Sequence, residues 1–569
     1  VHEIRIPRLR QHPHQGLMTA VQLVLLLFSL LLLVLTAVVL ATMLSAILAR
    51  QARELGVMKA IGASTGQLVV LYTGFVGVIG AGALLVAIPL AYAGARAMTS
   101  QVATMMNLAA FDQRIPRWVF LVLAVLGTLV PLVFAMVPIL RAARVTVRQS
   151  LSHHGAGADF VRPSLSRLPI SLRNALRHPV RLAFSMAMLG MAGTLVLSAA
   201  NTQHGLTLVS SKLEVARRFD VELRLHEPVP AARVASLAAV PGVLRLESWP
   251  AVESAFVQPG QRFDVMHTYP DGGHGSAMLT APPPGSTALN LPVRRGRWLD
   301  LTAGTNTGAG EAGSNAGEAS VAGEVVLGHG HPAARRAALG ELVTLSVEGK
   351  HSTWKLVGVV EELGGSSAFV NEAAYRRATG DAGVRLLRLT TTARSSPERD
   401  AIIANLERTL VARGIAVQYA MPALLLRSII DDHVAMVVRA VLAMAGLLAL
   451  VGFFGLGSMT AIGVAERTRE IGVMKTLGAS QLRILWIILA ESLAVAAVSS
   501  ALAALLSLPM TALINAHVAI GFLAPPSFMI SPLAYLAWPA AALIGSALAC
   551  LLPARRAARL SIRQTFAEV

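Results

Sequence analysis

Seven stretches of the chain are apolar and free of charge: 17–49, 68–95, 118–140, 182–209, 440–465, 484–512 with the single exception of Glu491, and 533–554. A hydrocarbon core about 30 Å thick is crossed by roughly 20 apolar helical residues, and each stretch meets that length. The pattern therefore predicts seven membrane-spanning helices. The first stretch is too long for the apolar part of a cleaved signal peptide and reads as a span. Between the fourth and fifth spans the periodicity changes. Alternating or β-rich runs occupy 220–225, 244–247, 255–257, 324–327, 342–347, 354–360 and 386–389, while 400–412 reads as a helix. This places a mixed strand and helix domain over 210–432. Within it, 300–323 contains Gly304, Gly308, Gly310, Gly313, Gly317 and Gly323 and few bulky side chains, the signature of a flexible surface insertion.

Charge then orients the spans. The chain of 569 residues has a formal net charge of +18 with only 14% charged residues. Its basic residues collect in alternate connections: Arg50, Arg53 and Lys59; Arg141 through Arg181; Arg467, Arg469, Lys475 and Arg483; and Arg555 through Arg563. The connection at 97–117 holds only Arg114 and Arg117, and 512–532 holds no Lys or Arg. This is the positive-inside distribution for seven spans with an external N-terminus. The basicity thus reports contact with an anionic inner phospholipid leaflet, and no basic-aromatic face suggests nucleic acid. Residues 1–17, with Arg5, Arg8 and Arg10, form an outer-side lead-in whose charge opposes export, so the expectation is either that a further span normally precedes it or that the sequence is a fragment or an N-terminally shortened product.

The chain repeats itself. Residues Arg53-Glu54-Leu55-Gly56-Val57-Met58-Lys59-Ala60-Ile61-Gly62-Ala63-Ser64 recur at 469–480, differing only at Leu55/Ile471, Ala60/Thr476 and Ile61/Leu477. Further on, Pro138, Arg141 and Arg144 recur as Pro553, Arg556 and Arg559, each set ending one three-span group. Two motifs held at nearly the same separation in both copies, about 85 residues, establish a duplicated module. Both copies place their basic ends on one side, so the repeat is parallel. By that plan the second copy is complete with the fourth span and 210–432, and the first lacks the equivalent region.

The first motif predicts a short amphipathic helix after a span on the basic side. Leu55, Val57 and Met58, or Ile471, Val473 and Met474, would form its apolar surface. Gly56 and Gly472 would allow close backbone approach, Gly62 and Gly478 would end the helix, and Ser64 and Ser480 would cap the next one. Such a helix suits docking of a cytoplasmic partner; the plainer alternative is an interfacial turn. Glycines at 74, 77, 80 and 82, at 190 and 193, and at 452, 455 and 457 suggest tight helix contacts, and Pro89, Pro131 and Pro509 suggest kinks. Glu491 is an intramembrane carboxylate and hence a functional candidate, or a structural pairing partner near the interface. Cys550 lies in the last span as a lone thiol, read as inert packing. His204, His226, His267, His274, His329, His331 and His351 lack ligand spacing, so no metal site is expected. No catalytic motif is found. The nearest approach to a phosphate-binding loop is Gly349-Lys350, followed by His351 and lacking the glycine-rich lead.

The two Arg-Glu-(Leu/Ile)-Gly-Val-Met-Lys segments and the two Pro-x-x-Arg-Ala-Ala-Arg segments resemble the FtsX-like permease family, the membrane subunits of MacB-type ATP-binding-cassette systems. The resemblance covers 20–150 and 430–565 well. It extends loosely over 165–430, where Arg295-Gly296-Arg297-Trp298, 340–347 and 355–360 look like parts of the extracytoplasmic domain of those permeases. It implies an all-α transmembrane bundle of duplicated permease modules with one mixed α/β extracytoplasmic domain, in a bacterial cytoplasmic membrane. The expected divisions are 1–17, a first module at 18–150, a cytoplasmic linker with an amphipathic stretch at 151–181, a span at 182–209, the external domain at 210–432 and a second module at 433–569. The resemblance further implies a non-catalytic subunit driven by a partner ATP-binding subunit, a homodimer holding ATP and Mg, with a periplasmic accessory protein as a further partner. Arg53, Glu54, Gly56, Lys59 and Gly62, with Arg469, Glu470, Gly472, Lys475 and Gly478, would couple that ATPase to export or extraction of a lipoprotein, lipid, peptide or drug. The alternatives are mechanical regulation of an external enzyme or sensor, and secondary transport without an ATPase.

Overall fold

A computed structural model describes residues 15–105, 114–146, 179–257, 277–301, 321–347, 349–362, 367–380, 383–521 and 528–560. Most of the lead-in, nearly all of the 151–181 linker, the bulk of the glycine-rich insertion, and His267 and His274 lie outside the described residues. The chain divides into two compact units: one of Leu23–Ala200, Val438–Met510 and Ser531–Val569, the other of Val1–Gln22, Asn201–Val437 and Thr511–Ile530.

The first of these is helical. It draws on α1 (Gln15–Arg50), α2 (Ala52–Ala60), α3 (Thr65–Met105), α4 (Arg117–Arg144) and α5 (Pro179–Ala216). Beyond the strand-rich region it continues with helices at Ala423–Glu466, Thr468–Thr476, Gln481–Gly521 and Pro532–Arg559. Among the described residues seven helices are long and apolar enough to cross a membrane, and they coincide with the seven apolar stretches. The repeat holds helix for helix. The α3 helix and its counterpart both have 41 residues, and α4 and its counterpart both have 28. Equivalent positions build the two cores: Leu55, Leu68 and Ala143 in the first, Ile471, Ile484 and Ala558 in the second. Pro89, Pro131 and Pro509 all sit inside unbroken helices.

The glycines divide into two groups. A Cβ on Gly193 would lie 2.2 Å from Trp538 Nε1, and one on Gly457 would lie 2.8 Å from the Ala549 carbonyl oxygen, so these positions permit close helix contact. At Gly74, Gly77, Gly80 and Gly82 of α3 a Cβ would meet nothing within 4 Å. The expected tight contact is therefore absent there, because no described residue packs against α3 at those positions.

The other unit is built on strands: β1 (Val221–Val229), β2 (Val243–Trp249), β3 (Ala251–Phe256), β4 (Ala277–Thr280), β5 (Val293–Gly296), β6 (Val321–Gly328), β7 (Leu342–Val347), β8 (Lys350–Val360), β9 (Ala368–Val370), β10 (Val384–Thr391) and β11 (Val417–Pro422). Short helices α6 (Ala231–Ala235), α7 (Pro332–Arg336) and α8 (Glu372–Thr379) intervene, and α9 (Ser396–Ala412) precedes β11. The helices at 423–466, 468–476, 481–521 and 532–559 are then α10 to α13. A four-stranded antiparallel sheet runs β11-β1-β10-β2. Its alternating Val221, Leu223 and Leu225 bury against Ile403, Leu406 and Leu410 of α9. The second sheet runs β5-β8-β6-β9-β4-β3-β7, and a β7–β8 pairing closes it into a barrel.

Residues that sequence reading connected with other proteins have structural duties here. Gly349, at φ 80°, makes the β7–β8 hairpin turn, so Gly349-Lys350 is a turn and no phosphate loop. Gly296, at φ 75°, lies so close to β8 that a Cβ would meet the Val357 carbonyl oxygen at 2.1 Å. Arg297 then reaches Glu324 at 2.6 and 2.7 Å, and Trp298 packs on Phe369. Arg388 of β10 stacks 4.0 Å from the Trp249 ring and donates to Glu222 Oε2 at 3.0 Å, which accounts for a charge buried in this unit.

Candidate coupling site at the repeated helix

The repeated segment folds alike in both copies because its local signals agree. Each helix closes with a glycine in the left-handed region, Gly62 at φ 105° and Gly478 at φ 92°. Gly62 N donates to Lys59 O and Ala63 N to Met58 O, and Gly478 and Ala479 do the same to Lys475 O and Met474 O. This pair of bonds is the Schellman closure, which needs a residue free of Cβ strain at that position. The next helix begins at once. Ser64 Oγ accepts from Gln67 N at 3.2 Å while Gln67 Oε1 accepts from Ser64 N at 2.8 Å, a reciprocal cap. Ser480 Oγ accepts from Arg483 N at 3.3 Å.

The faces differ in part from the expected amphipathic pattern. Leu55 and Gly56 are buried, as are Ile471 and Gly472. Val57 and Val473, expected on the apolar side with Leu55 and Ile471, are instead exposed at 49% and 43%. Spacing explains this, since residues two apart on a helix point away from each other. Positions four apart share a face, so Val57 joins Ile61, and Val473 joins Leu477. Ile61 and Leu477 are each 82% exposed. Arg53, Glu54, Arg469 and Glu470 are exposed as well. The result, in each copy, is an outward surface of one Arg, one Glu and two aliphatic side chains.

A feature invisible in the sequence joins the two repeated motifs. Lys59 Nζ donates to the Val145 carbonyl oxygen at 2.6 Å. Lys475 Nζ donates to Ala558 O at 2.9 Å and also to Leu560 O. Val145 and Leu560 are the C-terminal caps of α4 and α13, which carry the Pro-x-x-Arg-Ala-Ala-Arg motifs. Each lysine thus satisfies carbonyls that the helix end leaves without partners, and its charge complements the negative end of the helix dipole. Ala143, Ala557 and Ala558 are buried in the two cores that receive Leu55 and Ile471, so small side chains let the short helix approach. Pro138 is buried and Pro553 half-buried, while Arg141, Arg144, Arg556 and Arg559 face outward. Motifs separated by about 85 residues in the chain therefore form one physical unit in each copy.

Glu491, single among the carboxylates of its apolar stretch, pairs with Arg467. The guanidinium Nη1 and Nη2 donate to Oε2 and Oε1 at 3.2 Å each. Cys550 is buried with its Sγ 3.2 Å from Thr460 Oγ1, a packed thiol. Among the described residues no group of three or more His, Cys, Asp and Glu side chains is placed to hold a metal ion.

Comparison with known proteins agrees with this geometry at the level of the modules. Two solved structures are similar to part of the chain at low identity. The extracellular domain of the noncanonic ABC-type transporter YknZ from Gram-positive bacteria is 12% identical, covering 36% of this chain and 99% of that one, with a TM-score of 0.23. The periplasmic region of MacB from Actinobacillus actinomycetemcomitans is 11% identical, covering 39% and 97%, with a TM-score of 0.24. No curated protein matches the chain. Residues 26–147 and 442–562 each match the FtsX-like permease C-terminal family, and these ranges take in both short helices and both terminal motifs. The chain is therefore a multispan protein of the cytoplasmic membrane, with two FtsX-like permease modules flanking its strand-rich domain.

Proposed function

We propose that this chain is the permease subunit of an ATP-driven system, in which a separate ATP-binding subunit docks on α2 and α11 from the cytoplasm. The observation that carries this reading is the outward surface of Arg53, Glu54, Val57 and Ile61, reproduced by Arg469, Glu470, Val473 and Leu477 on a helix anchored from behind by lysine. Exposed aliphatic side chains between paired charges suit a protein partner, with the charges fixing its orientation. Two such helices suit a two-fold partner, and an ATPase homodimer holding ATP and Mg has that symmetry. Displacement of either helix would act directly on the end of α4 or α13 through Lys59 or Lys475. The cargo is an amphipathic molecule, a lipoprotein, lipid, peptide or hydrophobic drug, exported or extracted from the membrane. Arg141, Arg144, Arg556 and Arg559 would hold the inner helix ends at the anionic leaflet, and a periplasmic accessory protein would meet the strand-rich domain.

The test is purification of the chain in detergent together with its ATP-binding subunit, followed by measurement of ATPase stimulation. Changing both Glu54→Lys and Glu470→Lys is expected to abolish co-purification and stimulation while the chain stays folded, since both side chains are exposed. Retention of both binding and stimulation would contradict the assignment.

A further inference from the structure

The two docking helices share a sequence but not an anchorage. In the second copy Arg467 is the residue immediately ahead of α11, and its guanidinium makes three contacts of 3.2 to 3.3 Å with Glu491 of α12. Both side chains are mostly shielded, at 18% and 22% exposure. Room for the guanidinium comes from Gly463, where a Cβ would stand 3.0 Å from Arg467 Nη2. The corresponding residues of the first copy are Ile47, Gln51 and Phe75. There Gln51 accepts one neutral hydrogen bond, from Tyr72 OH of α3 at 2.9 Å. The difference extends inward. Thr460 and Cys550 are in polar contact at 3.2 Å, whereas the equivalent Leu44 and Ala135 belong to an apolar core. It also extends to the pins, because Lys475 caps two carbonyls and Lys59 is seen on one.

We propose that Arg467 and Glu491 are a positioning pair that clamps the second docking helix to α12, making the two copies mechanically unequal. A two-pronged, charge-assisted contact fixes both distance and angle, whereas one neutral hydrogen bond leaves a hinge. The α11 helix is then the stiff arm and α2 the compliant one. This interprets the carboxylate within the membrane stretch as a mechanical part and gives Glu491 no role in moving protons or cargo. The stiffness itself is a property of this chain alone; its consequence for ATP-driven work rests on the docking reading above.

Hydrogen exchange of the full chain in lipid nanodiscs separates the two. Amides of 468–476 are expected to exchange about tenfold more slowly than those of 52–60, the equivalent of one charge-assisted contact in a partly shielded site. Glu491→Gln should bring 468–476 up to the rate of 52–60 while leaving 52–60 unchanged. The double exchange Arg467→Glu with Glu491→Arg should restore slow exchange, which separates a specific pair from general damage to the span. Equal rates in the two helices of the unaltered protein would overturn the proposal, as would Glu491→Gln without effect or a charge swap that fails to recover. None of these rates requires an ATPase. With the partner added, Glu491→Gln should lower stimulated ATPase activity severalfold without loss of co-purification, and unchanged stimulation would overturn the mechanical role of the pair. Failure of the unaltered chain to bind an ATPase would count against docking alone.

Discussion

Single residues carry most of what distinguishes the two faces of each short helix. Lys59 and Lys475 cannot be recognised as pins from sequence, because their acceptors lie 86 and 83 to 85 residues away. Gly62 and Gly478, by contrast, are legible as helix ends, since few other residues tolerate the backbone they adopt. Replacing Lys475 by Met, which keeps the packing stem, should leave the end carbonyls of α13 without their donor and destabilise that helix end by about 1–2 kcal/mol. Faster hydrogen exchange over 555–560 would register it, and unchanged exchange would refute the pin. A second prediction concerns pH. His331 is fully buried, accepts from Ala333 N through Nδ1 at 3.2 Å, and burial pushes its pKa down to about 4 from an ordinary 6.5. Its folded form resists the proton that the unfolded chain takes up. The stability it contributes is thus complete above about pH 6.5 and is lost as pH falls toward 4, a loss of about 3 kcal/mol. Urea unfolding followed by fluorescence of the strand-rich unit should show that loss, and His331→Asn, which retains an acceptor, should flatten it.

Elements differ in how far sequence foretells them. The seven long helices were plain because the apolar length needed to cross a bilayer is long and hard to mimic. The β7 strand was legible at its true limits, and β1, β2, β6, β8 and β10 were placed with shifted ends, since their Val- and Leu-rich runs show in composition even though only β1 alternates in burial. The β5 strand was not identified as a strand. Its Val293-Arg294-Arg295-Gly296 has every residue exposed and no alternation, and it exists through the approach of Gly296 to β8. The β9 strand, three residues long, is too short for any period to appear. Glycine spacing in the helices was an uncertain guide, and a matched pair of substitutions shows why. Gly193→Ala drives a methyl group into Trp538 and should cost about 1–3 kcal/mol, measurable as a lowered Tm. Gly80→Ala meets open space and should leave Tm unchanged or slightly raised.

At the scale of the molecule, duplication accounts for the arrangement. The lengths of the short helix and of the two long helices after it recur, the same short helix follows the first span of each group, and the same lysine reaches the end of the third. What the copies do not share is the neighbourhood of the short helix, where one has an ion pair and the other a neutral bond. Site-specific cross-linking in native membranes reads docking at the repeated helices without an intermediate step. Single cysteines placed as Ile61→Cys or Leu477→Cys, with Cys550→Ala to remove the natural thiol, are predicted to form adducts with a protein carrying a nucleotide-binding loop. If neither position captures such a protein while both remain reactive to a small thiol reagent from the cytoplasmic side, the repeated helices are not the docking site.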